Sequence, residues 1–229
     1  MIKKAMILAA GFGKRLKPLT LNCPKPLLKI GKKTLLTNTI DFLEHCKINE
    51  IVINVHYLGD QILEYIKKKK FNLKINIIEE KDKILDTGGG MLNAIKYLND
   101  NFYCINPDTL WNLDYIKEIQ KMESDFLVNK KKCLLLVVDK AKSFDKSLKG
   151  DFNLKNGLIQ REKNEELKYI YTGLQIVNPE IFSNIKDKVV SINKIWNKLI
   201  QNEQLHPIVS NNNFLQVSNS EVFNKLNIK

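Results

Sequence analysis

Cysteine is scarce in this chain and scattered. Cys23, Cys46, Cys104 and Cys133 form no CxxC pair and show no Cys/His ligand spacing. That argues against a zinc site and for reduced thiols in the cytoplasm. No apolar run approaches membrane-spanning length, so no membrane partner is expected. Met1-Ile2-Lys3-Lys4 leads directly into an apolar strand, which does not read as a signal peptide. No Pro/Ser/Gly-rich linker, composition break or internal repeat divides the 229 residues, and 44% hydrophobic content supports one full core. No Ser/His/Asp or Cys/His nucleophile set is evident. Acidic residues are outnumbered, 25 against 37 Lys and Arg, for a net charge of +12. The lysines spread along the whole chain, with dense runs only at 67–70 and 130–132, an expected helix end and a pre-strand loop. Neither run is interleaved with aromatic residues, so a nucleic-acid partner is not expected. Part of the charge can draw anionic nucleotides toward a cleft.

The informative stretch is Leu8-Ala9-Ala10-Gly11-Phe12-Gly13-Lys14-Arg15-Leu16-Lys17-Pro18-Leu19-Thr20, closed by Pro24-Lys25-Pro26-Leu27. An apolar run delivers a glycine-flanked, cationic turn whose backbone N–H groups can face phosphate. Arg15 can grip phosphate in bidentate fashion, and Lys25 adds a mobile point charge. Two better-known phosphate loops are excluded by spacing. Leu16 stands where a dinucleotide fingerprint needs its third glycine, and no Gly-Lys-Ser/Thr follows a four-residue gap.

Periodicity predicts strands at 4–10, 51–55, 73–77, 102–105 and 133–138. Helices are predicted at 36–43 and 62–66, from Gly88-Gly89-Gly90 through Leu98, and at 113–122. After residue 150 come shorter strands at 151–154, 158–161 and 169–177. A helix at 192–200, a late strand at 214–217 and a final helix capped by Ser220 complete the chain. The alternation argues for an α/β fold with a mostly parallel sheet and helices on both faces. Gly11, Gly88 and Asp108 fall at or beyond strand ends, where such sheets bind ligands. His56, ending a strand, reads as a structural histidine. Asp82 and Asp86 lie near the glycine run, but their spacing recommends neither as a metal ligand.

The span from Leu8 to Leu27 resembles the signature loop of the sugar-1-phosphate nucleotidyltransferases. Ile51-Val52-Ile53-Asn54-Val55-His56-Tyr57-Leu58-Gly59 resembles that family's second strand and turn, and Leu85-Asp86-Thr87-Gly88-Gly89-Gly90 its nucleobase loop. Within the family the Thr-Gly-Gly-Gly loop is most similar to short bacterial N-acetylmuramate-1-phosphate uridylyltransferases, with mannose-1-phosphate guanylyltransferases next. The resemblance implies a three-layer, Rossmann-like fold in one domain, 1–229. Residues 1–110 would mainly bind nucleotide, and 111–229 mainly sugar phosphate. It implies a cytoplasmic enzyme, monomer or homodimer, of nucleotide-sugar biosynthesis in cell-wall recycling. Its substrates would be a nucleoside triphosphate and a sugar 1-phosphate, and its cofactor Mg²⁺.

Ala9, Ala10, Gly11, Gly13, Lys14 and Arg15 would cradle the nucleotide phosphates, with Arg15 on the leaving pair and Lys25 on the reacting one. Gly88 and Gly89 would let the backbone approach the base, since a side chain there would block stacking. Asp108 would bind the magnesium, carboxylate oxygen being a hard ligand suited to it. Asp151, Glu162, Thr172 and Gly173 match sugar-phosphate positions. The sequence departs from the family pattern at several points. Pro107 replaces a small residue. Glu162-Lys163-Asn164 stands for a Glu-Lys-Pro run. Gln216 stands where a second metal-binding Asp is usual, so its neutral amide would coordinate without charge. The last departure raises the alternative of a sugar-nucleotide-binding protein with weak turnover.

Overall fold

A computed structural model of the chain describes residues 1–162 and 165–228. The first half runs β1 (Lys4–Leu8), β2 (Lys29–Ile30), β3 (Lys33–Thr34), α1 (Leu35–His45), β4 (Glu50–Val55), α2 (Gly59–Lys68), β5 (Lys74–Glu79), α3 (Asp86–Leu98) and β6 (Phe102–Ile105). It continues through α4 (Tyr115–Val128), β7 (Cys133–Asp139), β8 (Asn153–Lys155), β9 (Leu158–Gln160), β10 (Tyr169–Val177), α5 (Ile192–Gln201), β11 (Leu205–Ser210) and α6 (Ser220–Asn227). Among the described residues, seven strands form one sheet in the order β11-β7-β10-β6-β1-β4-β5. Only β10 runs antiparallel to its neighbours β6 and β7; the remaining pairings are parallel. The sheet draws on both segments, 1–110 and 111–229.

Successive residues of a strand point to opposite faces, and here both faces are covered. Ala5 and Ile7 of β1, Ile51 and Ile53 of β4, and Leu134 and Leu136 of β7 enter one core with the apolar stripes of α1 and α4. Met6, Val52, Leu135 and Val137 enter a second core with α3 and α5. The result is a three-layer α/β sandwich. Helices α1 and α5 start at side-chain caps: Thr34 accepts from the Thr37 amide at 3.0 Å, and Ser191 caps α5. Each basic run is paired in part. Lys68 meets Glu64, Lys131 meets Asp125, and Lys132 meets Glu180. All four cysteines are free, and burial pushes the Cys46 thiol up to about 12. Among the described residues no helix is long and apolar enough to cross a membrane.

Several boundaries differ from expectation. β1 ends at Leu8, and α3 begins at Asp86, two residues ahead of the glycines. Residues 214–217 form no strand; Phe214 and Gln216 make isolated bridges to Ser143 and Thr109. The last strand is β11, where His206 and Pro207 interrupt the apolar pattern. It lies at the sheet edge, where proline is tolerated. Asn219, not Ser220, caps α6, its Oδ1 accepting from the Val222 amide at 2.9 Å.

The start of α3 is clamped by the segment leading into α5. The Gly89 amide donates to the Val190 carbonyl at 2.9 Å, and the Ile192 amide donates to Thr87 Oγ1 at 3.1 Å. A Cβ on Gly88 would lie 2.8 Å from the Val190 oxygen, and one on Gly89 2.2 Å from the Lys188 oxygen. Backbone cannot yield as a flexible side chain can. Gly89→Ala is therefore expected to destabilise the protein by about 1–3 kcal/mol, read as a lower midpoint in urea denaturation.

Candidate functional site

β1 hands the chain to Ala9-Ala10-Gly11 at the carboxyl edge of the sheet. Gly13 then turns it with φ of +63°, and a Cβ there would lie 2.9 Å from Thr20 Cγ2. Glycine alone meets both demands. The Gly13 carbonyl accepts from the Leu16 amide at 2.9 Å and from Thr20 Oγ1 at 3.0 Å. This fixes a single tight turn, Lys14–Leu16, that carries Arg15 to the mouth of a cleft. Lys14 lies over the Phe12 ring, 5.5 Å from its centroid. A second short turn, Lys25–Leu27, starts after the extended Pro24 and carries Lys25 to the same place.

The opposite wall comes from the end of β6. Asn106 and Pro107 lead to Asp108, whose Oδ2 accepts from Lys25 Nζ at 2.5 Å. Both side chains are mostly enclosed, at 15% and 13% exposure. Gln216 lies on the other side of the carboxylate, with Nε2 donating to Asp108 Oδ1 at 3.3 Å. The Val217 amide donates to the Asp108 carbonyl at 2.8 Å, tying the late segment to the β6 end. The cleft encloses about 430 Å³. Ala9, Ala10, Gly11, Gly13, Lys14, Arg15, Lys25 and Asp108 all line it.

Gly88 and Gly89 are not among the residues lining this cleft. Gly88 and Gly89 are backed by the 188–191 segment, so their missing side chains serve helix packing. The cleft wall there is made by Ile84, Asp86 and Thr87. Asp86 has a φ of +63°, a conformation uncommon for a residue with a side chain.

The four residues matched to sugar phosphate do not line this cleft. Thr172 is fully buried and its hydroxyl donates to the Leu136 carbonyl at 2.9 Å, so its side chain is committed inside the sheet. Gly173 sits where the register between β10 and β7 shifts, and its carbonyl accepts from the Asn106 amide at 2.7 Å. Asp151 Oδ2 accepts from the Tyr171 amide at 2.9 Å. Burial raises its carboxyl above the ordinary range, against the pull of that amide and of Arg161. Arg161 stacks over Phe152 at 4.5 Å and donates to Asn193 on α5. Glu162 is exposed, and Lys163 and Asn164 lie outside the described residues. His56 is structural, its Nδ1 2.6 Å from the Glu80 carbonyl oxygen. Trp196 is buried in the second core and donates to Gln175.

Sequence reasoning missed Asn54, a buried residue of the cleft wall, and Glu80, buried behind it. The signal for Asn54 was available, as a lone polar residue in an apolar strand. Among the described residues no three His, Cys, Asp or Glu side chains cluster as a metal cage. Asp108 and Asp86 bring carboxylate oxygens to the cleft lining, and the Gln216 amide lies beside Asp108 with its NH₂ toward the carboxylate. That set fits Mg²⁺, which retains water and binds through one or two carboxylates plus substrate phosphates.

The comparisons with known proteins agree with this geometry. A family model described as nucleotidyl transferase matches residues 4–207. The chain is 28% identical over 203 residues to the N-acetylmuramate alpha-1-phosphate uridylyltransferase of Caulobacter vibrioides, covering 86% of this chain and 84% of that protein. It is 29% identical over 212 residues to the catalytic subunit beta of mannose-1-phosphate guanylyltransferase from Xenopus tropicalis. That match covers 88% of this chain but 57% of the frog protein, so the chain spans little more than half its length. A UDP-glucose pyrophosphorylase solved with UDP-glucose superimposes with a TM-score of 0.80, over 100% of this chain and 98% of that one. At 17% identity this is a likeness of fold. With the family model spanning most of its 229 residues, the chain belongs to the nucleotidyl transferase family, whose sugar-1-phosphate branch its phosphate loop resembles.

Proposed function

We propose that the protein transfers a nucleotidyl group from a nucleoside triphosphate to a sugar 1-phosphate, releasing pyrophosphate. The observation that carries this reading is the meeting of Arg15, Lys25 and Asp108 at one cleft beyond the carboxyl ends of β1 and β6. An oxygen of the sugar phosphate attacks the α-phosphorus in line, and pyrophosphate leaves from the opposite side. No enzyme nucleophile is required, so catalysis rests on positioning and charge. Backbone amides from Ala10 to Gly13 hold the phosphates, the Ala9 amide being committed to Asn54; Arg15 grips the leaving pair, and Lys25 turns from Asp108 to the reacting phosphate. Asp108 and the Gln216 amide oxygen would hold Mg²⁺, which supplies positive charge along the phosphates when bound.

The leading substrate pair is UTP with N-acetylmuramate 1-phosphate, in a cytoplasmic cell-wall recycling role. It is supported by the Caulobacter relative, most of whose length is matched. The frog relative supports GTP with mannose 1-phosphate as the alternative. The sugar phosphate would approach from the side of Asp151, Glu162, Thr172 and Gly173, the fully buried Thr172 shaping that side from within the sheet. Gln216 supports a second reading, a sugar-nucleotide-binding protein with weak turnover.

The test is pyrophosphate release from UTP, GTP, CTP, ATP and dTTP with Mg²⁺, across a panel of sugar 1-phosphates. One productive pair names both substrates. Nucleotide binding without release by any pair would sink the transferase reading. Gln216→Asp adds a second carboxylate and is expected to raise turnover at limiting Mg²⁺ by about tenfold, one charged contact being worth about 1.4 kcal/mol or more. An unchanged magnesium dependence would show that Gln216 does not limit metal binding.

A further inference from the structure

Glu80 follows β5 and is 4% exposed, yet among the described residues it joins no ion pair. A buried carboxylate without a cation is costly unless its oxygens are satisfied. Its Oε1 accepts from Asn54 Nδ2 at 2.7 Å, and its Oε2 from the Leu85 amide at 2.8 Å. Asn54, 3% exposed, turns its Oδ1 to accept from the Ala9 amide at 3.0 Å. One unbroken chain of hydrogen bonds therefore joins two walls of the cleft. At one end is Ala9, opening the phosphate loop. At the other is Leu85, between the lining residues Ile84 and Asp86. The carboxylate only accepts, which forces the amide orientation of Asn54 and so leaves an oxygen for Ala9.

We propose that Glu80 is a positioning residue that sets the spacing between the phosphate loop and the 84–87 wall, and through it the affinity for the nucleoside triphosphate. This rests on the reading of the cleft as a nucleotide site. Glu80 acts through Asn54 and Leu85 and touches neither substrate nor reacting atoms. Its influence belongs to nucleotide binding, not to sugar phosphate binding or the chemical step.

Glu80→Gln keeps the shape but adds an NH₂ group. Whichever way the new amide and that of Asn54 are turned, two donors then face each other at Leu85, at Asn54 or at Ala9. The variant is expected to bind a non-hydrolysable UTP or GTP analogue at least about tenfold more weakly, the range for a buried donor left unpaired. The KM for sugar 1-phosphate and kcat at saturating nucleotide stay within about threefold. Adding Asn54→Asp moves the carboxylate one link along the chain of hydrogen bonds. The carboxylate at position 54 then accepts both from the Ala9 amide and from the new side-chain NH₂ at position 80. The side-chain oxygen at position 80 accepts from Leu85. This double variant is expected to recover analogue affinity to within about threefold of wild type, the size of one ordinary hydrogen bond.

Calorimetric titration with the analogue reads both effects. Equal affinity in wild type and Glu80→Gln overturns the proposal, as does a loss that Asn54→Asp leaves uncorrected. If Glu80→Gln fails to fold, the double variant decides: wild-type affinity supports the proposal, and a folded protein blind to nucleotide, or no fold, overturns it. Absence of analogue binding by the wild type would instead sink the nucleotide reading itself.

Discussion

Asp108→Asn is expected to reduce sugar-dependent pyrophosphate release by about 10³-fold or more, the scale of losing one charge-stabilising contact in a transition state. Charge is the reason. Asp108 and Gln216 are the two side chains that flank the expected metal position, and only Asp108 is anionic. Asparagine keeps the size and the contact with Gln216, but leaves two neutral amides. A family member with a second carboxylate would retain one negative group after such a change; this chain would retain none at those two positions. The fold should be preserved, because the Asp108 backbone bond to Val217 does not involve the side chain. A variant with more than a tenth of wild-type kcat would show that Asp108 is not the metal ligand.

The second large effect is at Lys25. Lys25→Met is expected to lower kcat/KM by about 10²-fold, since a cation facing a developing phosphate charge is lost. It should also destabilise the ligand-free protein, because the Asp108 carboxylate loses its partner 2.5 Å away. We expect about 2 kcal/mol, below the roughly 3–5 kcal/mol of a fully buried pair, as water still reaches this one. The double variant Lys25→Met/Asp108→Asn separates the two consequences. It removes both charges, so urea denaturation should return most of the lost stability while activity stays absent. If the double variant is less stable than either single one, the pair is not what Lys25 contributes to the fold.

Much of this architecture was readable from sequence where the information is local. β1 and its loop are contiguous, and glycine, arginine and proline leave little choice of conformation there. The long apolar strands β4 and β7 are buried on both faces and declare themselves by composition. β11 did not, because His206 and Pro207 mask a strand that is held on one side only. Gly88 and Gly89 were legible as close-approach positions, but the approaching group is the backbone of 188–191, more than 95 residues away in sequence. The link from Glu80 through Asn54 to Ala9 is likewise non-local. Each residue alone looks ordinary, and only the sheet brings them together.

The antiparallel strand β10 has a consequence for how the chain is made. Its two partners are the older edges of the sheet: β6, with all four residues buried, and β7, fully buried from Cys133 to Val138. Until residues 169–177 have left the ribosome, a nascent chain holds these two apolar edges open and unpaired. Each is a template for a strand from another molecule. The interval between the emergence of β7 and that of β10 is thus when this protein most needs a chaperone; β10 closes the gap between β6 and β7, and β11 later covers the outer side of β7.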